Sequence, residues 1–319
     1  MILSKTPLRM SFVGGGTDYF TNFDIPGKVI VTSIDKYLYI LLNKKYDENI
    51  RVSYSETENV RKISLIKHDL IREALKFFKI RNGIEVVTSA DIPSSGSGLG
   101  SSSALTVGLV NAIGKFHKKN FNKNQLAKIA CKIEVDKCKK PIGMQDQYST
   151  SFGGLNKIEF KKKGVVVSKL ELSNLRLNSF KNKIMIFYTG INRKADKILL
   201  KIKNSKNQFK HFHKLVDLVD DFEKELVSGE LLNLGNIFHE NWSLKKDLSS
   251  KVSSFHINEI YEEAIKAGAS GGKLLGAGGG GYFMFFVEEK YQKNVRKKLS
   301  KLKQIEFNFE EKGSQSFIV

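Results

Sequence analysis

The chain has 319 residues, 41% hydrophobic and 10% aromatic, enough to bury a sizeable core in two domains. Its net charge of +20 comes from 53 basic residues, 45 of them lysines scattered from Lys5 to Lys312 without interleaved aromatics. That distribution reads as a solvated surface with some attraction for anionic substrates, so no nucleic-acid partner is expected. No run approaches eighteen uncharged apolar residues and MILSKTPLRMSF lacks a signal-peptide core, so a cytoplasmic protein without a membrane span is expected.

Cys131 and Cys138 lie in one helix-like segment, about two turns or roughly 10 Å apart, and cannot pair within it. The histidines and cysteines show no zinc spacing, which leaves a divalent metal held by oxygen open.

In chain order, the apolar β-branched runs at 28–33, 36–42 and 83–90 predict strands, and 67–79 has helical spacing. Residues 101–117 and 123–137 predict helices, followed by a hairpin over 154–172 that turns at 161–164. The pattern then starts afresh with a strand at 183–189, a mostly helical stretch at 194–248 and a helix at 257–267. A hairpin at 271–287, a helix at 289–302 and a short strand at 304–309 complete the chain. Two α+β units are expected, with domains at 1–178 and 179–319.

Between the strand at 83–90 and the helix at 101–117 lies PSSGSGLGSSSA, residues 93–104. A backbone that wraps an anion needs residues free of a Cβ, and Gly96, Gly98 and Gly100 supply them. The helix opening at Ser101 would turn its free N–H groups and positive dipole end toward the loop. The loop is not a Walker A sequence, because Ser101 rather than Lys follows Gly100. Nor is it a dinucleotide fingerprint, because KFHKKNFNK occupies the region where an acidic residue belongs. A second cluster, KLLGAGGGGYF at 273–283, packs five glycines into six positions, and two such loops suit one cleft closed from both sides.

Together with PLRMSFVGGGTDY at 7–19, these segments resemble the three ordered motifs of the GHMP kinases, a likeness spanning nearly the whole chain. The resemblance implies an α+β fold made of a ribosomal-protein-S5-like N-terminal domain and a ferredoxin-like C-terminal domain, with ATP and acceptor meeting between them. It implies that Gly96, Ser97, Gly98, Leu99, Gly100, Ser101, Ser102 and Ser103 wrap the ATP phosphates. By position, Ser102 and Glu134 match the family's Mg²⁺ ligands, with Ser101 and Ser103 flanking the first and Asp136 rivalling the second.

The segment PIGMQDQY at 141–148 resembles the GxxDQ stretch that carries the catalytic Asp, which makes Asp146 the expected general base. Arg9 is expected beside it, favouring its carboxylate and stabilising the transferring phosphoryl group. The acceptor is expected against Arg9, Gly15, Gly16, Thr17, Asp18, Asp146, Gly278 and Gly279, with Asp18 accepting from sugar hydroxyls.

Galactokinases carry a Glu-His pair before the TD dipeptide, where this chain has GGGTDY. The form is similar to bacterial D-glycero-D-manno-heptose 7-phosphate kinases, which implies phosphorylation at C1 for surface-polysaccharide synthesis. Fucokinases and other sugar-1-kinases are the alternative. Arg193, with Lys194 and Lys197 nearby, is the expected anchor for the far phosphate, since Arg suits a bidentate contact. A ligand sensor or nucleic-acid-binding protein that keeps the fold is the non-enzymatic alternative, and Asp146 argues against it. The expected partners are therefore a sugar phosphate and ATP.

Overall fold

The computed structural model describes residues 1–19, 25–93, 96–192, 195–203 and 208–319. The first sheet contains β1 (Ile2–Val13), β2 (Gly27–Lys44), β3 (Ile50–Ser53) and β4 (Thr57–Val60), and, after helix α1 (Asp69–Phe77), β5 (Ile84–Ala90). Helices α2 (Ser101–Phe116), α3 (Lys123–Cys131) and α4 (Gln145–Phe152) follow, then the hairpin β6 (Leu155–Lys161) and β7 (Gly164–Lys169).

Helix α5 (Asn174–Asn182) leads to β8 (Ile184–Tyr188) and the helices α6 (Ala195–Lys203), α7 (Gln208–Val227), α8 (Asn233–Leu248) and α9 (Phe255–Lys266). The chain ends with β9 (Ala269–Leu274), β10 (Tyr282–Val287), α10 (Glu289–Lys298), β11 (Lys303–Ile305) and β12 (Gln315–Ile318).

The runs at 28–33 and 36–42 form one long strand, β2. Its break is a bulge against β1: Leu8 faces Ile34 while Pro7 faces Tyr37, so residues 35 and 36 are skipped. Such a bulge bends the strand. The first part of β2 accordingly pairs with β6 and the last part with β5.

The path of the first sheet runs β12-β1-β2-β5-β3-β4, and the second sheet runs β11-β8-β10-β9 with antiparallel neighbours throughout. A final strand was expected only at 304–309; the structure adds β12, which returns to the first sheet and pairs with β1. The expected division at residue 178 falls inside α5.

Helix α2 is buried on nearly all sides, as its apolar and small residues require. A Cβ on Gly108 would lie 2.9 Å from both Ile40 Cδ1 and Thr6 Oγ1, so the glycine lets the helix sit close on β1 and β2. That seating fixes the height of the loop at the head of α2.

The core runs through both sheets. Phe12 of β1 stacks on Phe222 of α7 at 5.8 Å and meets Phe180 of α5 edge-on at 5.2 Å. A second cluster under the other sheet gathers Trp242, Tyr261, Phe283 and Phe285. Among the described residues, no helix is long and apolar enough to cross a membrane.

Candidate active site

The loop entering α2 has Gly96, Gly98 and Gly100 at φ values of +70°, +78° and +75°. L-residues reach this left-handed region only at a cost, so glycine is needed at these turns. The first helical bond closes from Ala104 N to Gly100 O at 2.9 Å, leaving the N–H groups of Ser101, Ser102 and Ser103 without intrahelical partners. Unpartnered N–H groups at a helix start can bind an anion. Ser97 Oγ braces the turn, lying 3.0 Å from Ser101 Oγ and accepting from Leu99 N at 3.3 Å. The side chain of Leu99 is buried in the core.

The second glycine cluster packs directly on this loop. Tyr282 N donates to Ser97 O at 3.1 Å, and a Cβ on Gly281 would lie 2.4 Å from the same oxygen. From the other side, a Cβ on Gly98 would lie 2.3 Å from Leu275 O. The two loops therefore meet backbone to backbone, as two loops closing one cleft must.

Glu134 arrives from a different direction. Asn122 and Gln125 cap α3 reciprocally at 2.9 Å each, which fixes where the helix starts. After Cys131 the backbone widens into a π-helical turn, Lys132–Lys137, where the expected helix over 123–137 has an α-helical pattern only in its first part. Glu134 lies in this turn, fully buried, while Asp136 is exposed. Its carboxylate accepts from Ser102 Oγ at 2.7 Å, Ser103 Oγ at 2.8 Å and Gln147 Nε2 at 2.5 Å. Burial pushes its pKa up, and the three hydrogen bonds pull against that shift.

Asp146 lies in the first turn of α4 and is gripped by Arg9 of β1. Arg9 Nε donates to one carboxylate oxygen at 2.7 Å and Nη2 to the other at 2.5 Å. Arg9 Nη1 donates to Gly98 O at 2.7 Å, and the Arg9 backbone N–H donates to Leu99 O at 3.0 Å. One buried guanidinium thus ties the carboxylate to the glycine loop.

Asp18 sits nearby with only 2% exposure, accepting from Gly16 N at 3.3 Å, Gln145 N at 3.1 Å and Gln145 Nε2 at 3.2 Å. Burial raises its pKa to about 6, against the pull of the Gln145 N–H and with a further push from Asp146. Gly143 makes room for it, since a Cβ there would lie 1.9 Å from Asp18 Oδ2.

A cavity opens beside these groups, and Arg9, Gly15, Gly16, Asp18 and Asp146 all line it. Thr17 does not. It is fully buried, its hydroxyl donating to Gly14 O at 2.9 Å and accepting from Lys28 N at 3.0 Å, so it staples the turn to β2 instead of meeting an acceptor.

Gly278 and Gly279 also turn elsewhere, closing on Val252 and on Ile198, while Gly276 and Ala277 take the cavity wall. Arg193 and Lys194 lie outside the described residues, as does the side chain of Lys197. Ser11, Gly143, Gln145, Lys245 and Lys273 also line the cavity, and nothing in their residue type or spacing marks them out in the sequence. Two of them, Gly143 and Gln145, stand within the PIGMQDQY segment that drew attention to Asp146.

The GHMP kinases N terminal domain matches residues 65–154, and the GHMP kinases C terminal domain matches residues 222–304. The chain is also 32% identical to D-glycero-alpha-D-manno-heptose 7-phosphate kinase of Campylobacter jejuni, over 99% of this chain and 98% of that one. The chain belongs to the GHMP kinases. In this GHMP kinase the N-terminal match takes in the first glycine loop, Glu134 and Asp146, and the C-terminal match takes in the second glycine loop.

L-fucokinase/L-fucose-1-P guanylyltransferase of Bacteroides fragilis is 30% identical over 73% of this GHMP kinase and 25% of the relative. The crystal structure of a D-glycero-D-manno-heptose 1-phosphate kinase from Bacteroides thetaiotaomicron shares its fold, with a TM-score of 0.82. That match has 23% identity and covers 100% of this chain and 99% of the other.

Proposed function

We propose that this kinase transfers the γ-phosphoryl group of ATP to the anomeric C1 hydroxyl of D-glycero-D-manno-heptose 7-phosphate, giving the 1,7-bisphosphate and ADP. The observation that carries the acceptor is the 32% identity to the Campylobacter jejuni enzyme along 98% of its length. The geometry supplies the chemistry. The loop at 96–103 holds the triphosphate on backbone N–H groups, and Asp146 takes the proton as the hydroxyl oxygen bonds to the γ-phosphorus and the bond to the ADP oxygen breaks.

Arg9 fixes both oxygens of Asp146 and brings positive charge to the transferring group. Among the described residues no cluster of three or more His, Cys, Asp or Glu stands ready for a metal. Ser102 and Glu134, with hydroxyl and carboxylate oxygens 2.7 Å apart, fit the Mg²⁺ pattern of few protein oxygens completed by phosphates and water. Bound there, Mg²⁺ would neutralise charge developing on the phosphate oxygens. Arg193 is the proposed holder of the C7 phosphate, supported by guanidinium chemistry. Dependence on ATP and a sugar phosphate is in keeping with work in the cytoplasm.

The test is ADP release with heptose 7-phosphate, mannose, L-fucose, galactose and mevalonate as acceptors. Heptose 7-phosphate is expected to give the highest kcat/KM. Turnover confined to unphosphorylated sugars would overturn the acceptor assignment, and a preference for L-fucose would move the enzyme toward the Bacteroides fragilis relative. Arg193→Ala is expected to raise the KM for heptose 7-phosphate alone.

A further inference from the structure

Three polar groups on the cavity wall have hydrogen-bonding capacity that the fold leaves unused. Ser11 Oγ is buried and has no hydrogen-bond partner among the described residues. Gln145 Oε1 is in the same condition. Its orientation is set by chemistry: Nε2 donates to the Asp18 carboxylate, so the amide oxygen must be the end that turns away. Both lie around Gly15, where a Cβ would be 3.3 Å from Ser11 Oγ and 3.8 Å from Gln145 Oε1.

The third group is Lys273, fully buried, whose Nζ donates to Ser11 O at 3.0 Å and Phe12 O at 2.8 Å. Burial, with Lys245 and Arg9 adding charge of the same sign, pushes its pKa well down. An ammonium would keep one N–H beyond these two bonds, and a neutral amine would keep its lone pair. Either form leaves one position to fill.

Buried polar atoms without partners are costly, and native proteins leave few of them. Here they line the cavity that holds Asp146 and Asp18. An occupant must donate to Gln145 Oε1 and either donate to or accept from Ser11 and Lys273. A hydroxyl does both. A methyl group or a bare carboxylate cannot meet all three.

We propose that Ser11, Gln145 and Lys273 form a hydroxyl-recognising subsite that selects a polyhydroxyl acceptor and positions it beside Asp146; the proposal rests on the sugar-acceptor reading above.

The test first identifies the best acceptor among heptose 7-phosphate, mannose, L-fucose and mevalonate for the wild-type enzyme, then compares it with its monodeoxy analogues. The same series is run on Ser11→Ala and Gln145→Ala, with thermal melts to verify folding. Each variant is expected to raise acceptor KM about 5- to 30-fold, the worth of a lost buried hydrogen bond. One deoxy analogue should suffer a similar penalty with wild type and none further with Ser11→Ala. A merely structural defect would penalise the parent and every analogue alike.

Unchanged KM in folded Ser11→Ala and Gln145→Ala would overturn the subsite whichever acceptor is best. If mevalonate is best yet the coupling appears, the subsite stands and the sugar assignment falls. Turnover of none of the four would overturn both.

Discussion

Arg9 and Asp146 are joined by two parallel hydrogen bonds of 2.7 and 2.5 Å, and the nitrogen left over reaches Gly98 O of the glycine loop before α2 at 2.7 Å. One side chain thereby holds the Asp146 carboxylate, the proposed base, at a fixed separation from the glycine loop proposed to cradle the donor.

That arrangement makes Arg9 act in part through Asp146. Asp146→Asn removes the proposed base and is expected to cut kcat by about 10²- to 10⁴-fold. Arg9→Lys exchanges a planar fork for a point charge and should cost roughly 10- to 100-fold alone. The double variant should be little worse than Asp146→Asn, because the two residues work as a unit. Multiplying losses in steady-state kinetics would show that Arg9 serves the phosphoryl group independently.

Contact between the two glycine loops depends on Gly98, with φ +78° and a would-be Cβ 2.3 Å from Leu275 O. Gly98→Ala adds backbone strain of about 1–2 kcal/mol and a clash with an atom that cannot swing away. The melting temperature is expected to fall by several degrees, and ATP should restore less of it than in wild type. A calorimetric scan with and without ATP checks both. An unchanged melt would show that the contact yields easily.

Asp18, with a pKa raised to about 6 by burial, is expected to give the enzyme an acid limit. Above pH 6 the carboxylate is ionised and holds the Gln145 amide; below it the proton disrupts that grip. Acceptor KM should rise roughly tenfold between pH 7 and pH 5, and Asp18→Asn should flatten the profile. For stability the sign is opposite: a raised carboxylate favours folding below its ordinary value near 3.8, and the advantage is lost as pH rises to about 6. A KM that stays level down to pH 5 would remove Asp18 from acceptor binding.

Much of this arrangement is readable in sequence because phosphate chemistry demands unusual residues. Alternating glycines before a helix, and an Asp preceded by Gly-Met-Gln, stand out against ordinary composition. What escapes is orientation. Thr17 looks as available as Asp18, yet its hydroxyl is consumed by Gly14 and Lys28. Lys273 is one lysine among 45, and only its burial, shared with Lys245 among the described residues, sets it apart. Gln145 gains meaning from the Asp18 carboxylate, which meets it across 127 positions of chain. In the fold, β12 is four residues long and exists by pairing with β1 at the far end of the sequence. No local periodicity announces such a partner.

Glu134 is a carboxylate held in a dry place by three donors, with its pKa pushed up by burial. Glu134→Gln removes the desolvated charge; its amide oxygen can still accept from Ser103 and Gln147, and only the Ser102 hydroxyl need reverse its role to accept from the new N–H. The unfolding midpoint at pH 7 is therefore expected not to fall, while Mg²⁺-dependent turnover drops roughly 100-fold or more. Titrating Mg²⁺ into the variant with ADP should give weaker coupling between the two than in wild type. A large stability loss with intact Mg²⁺ coupling would make Glu134 a structural brace for the head of α2.

Gly15 separates the need for space from the need for fold. Its φ lies outside the left-handed region, and a Cβ would meet Ser11 Oγ at 3.3 Å and the Gln145 amide at 3.8 Å, neither a severe clash. Gly15→Ala should therefore fold with a near-normal melting temperature, unlike Gly98→Ala. The methyl group would nevertheless sit between the two unpartnered oxygens where an acceptor hydroxyl is proposed to bind. Acceptor KM should rise tenfold or more, since the lost bonds are worth about 1–2 kcal/mol and the excluded volume adds to that. The KM for ATP should move far less, because the atoms nearest a Cβ there belong to Ser11 and Gln145 and not to the loop at 96–103. Equal loss of affinity for both substrates would place Gly15 in the general architecture of the cleft, and an unaffected acceptor KM would put the sugar elsewhere in the cavity.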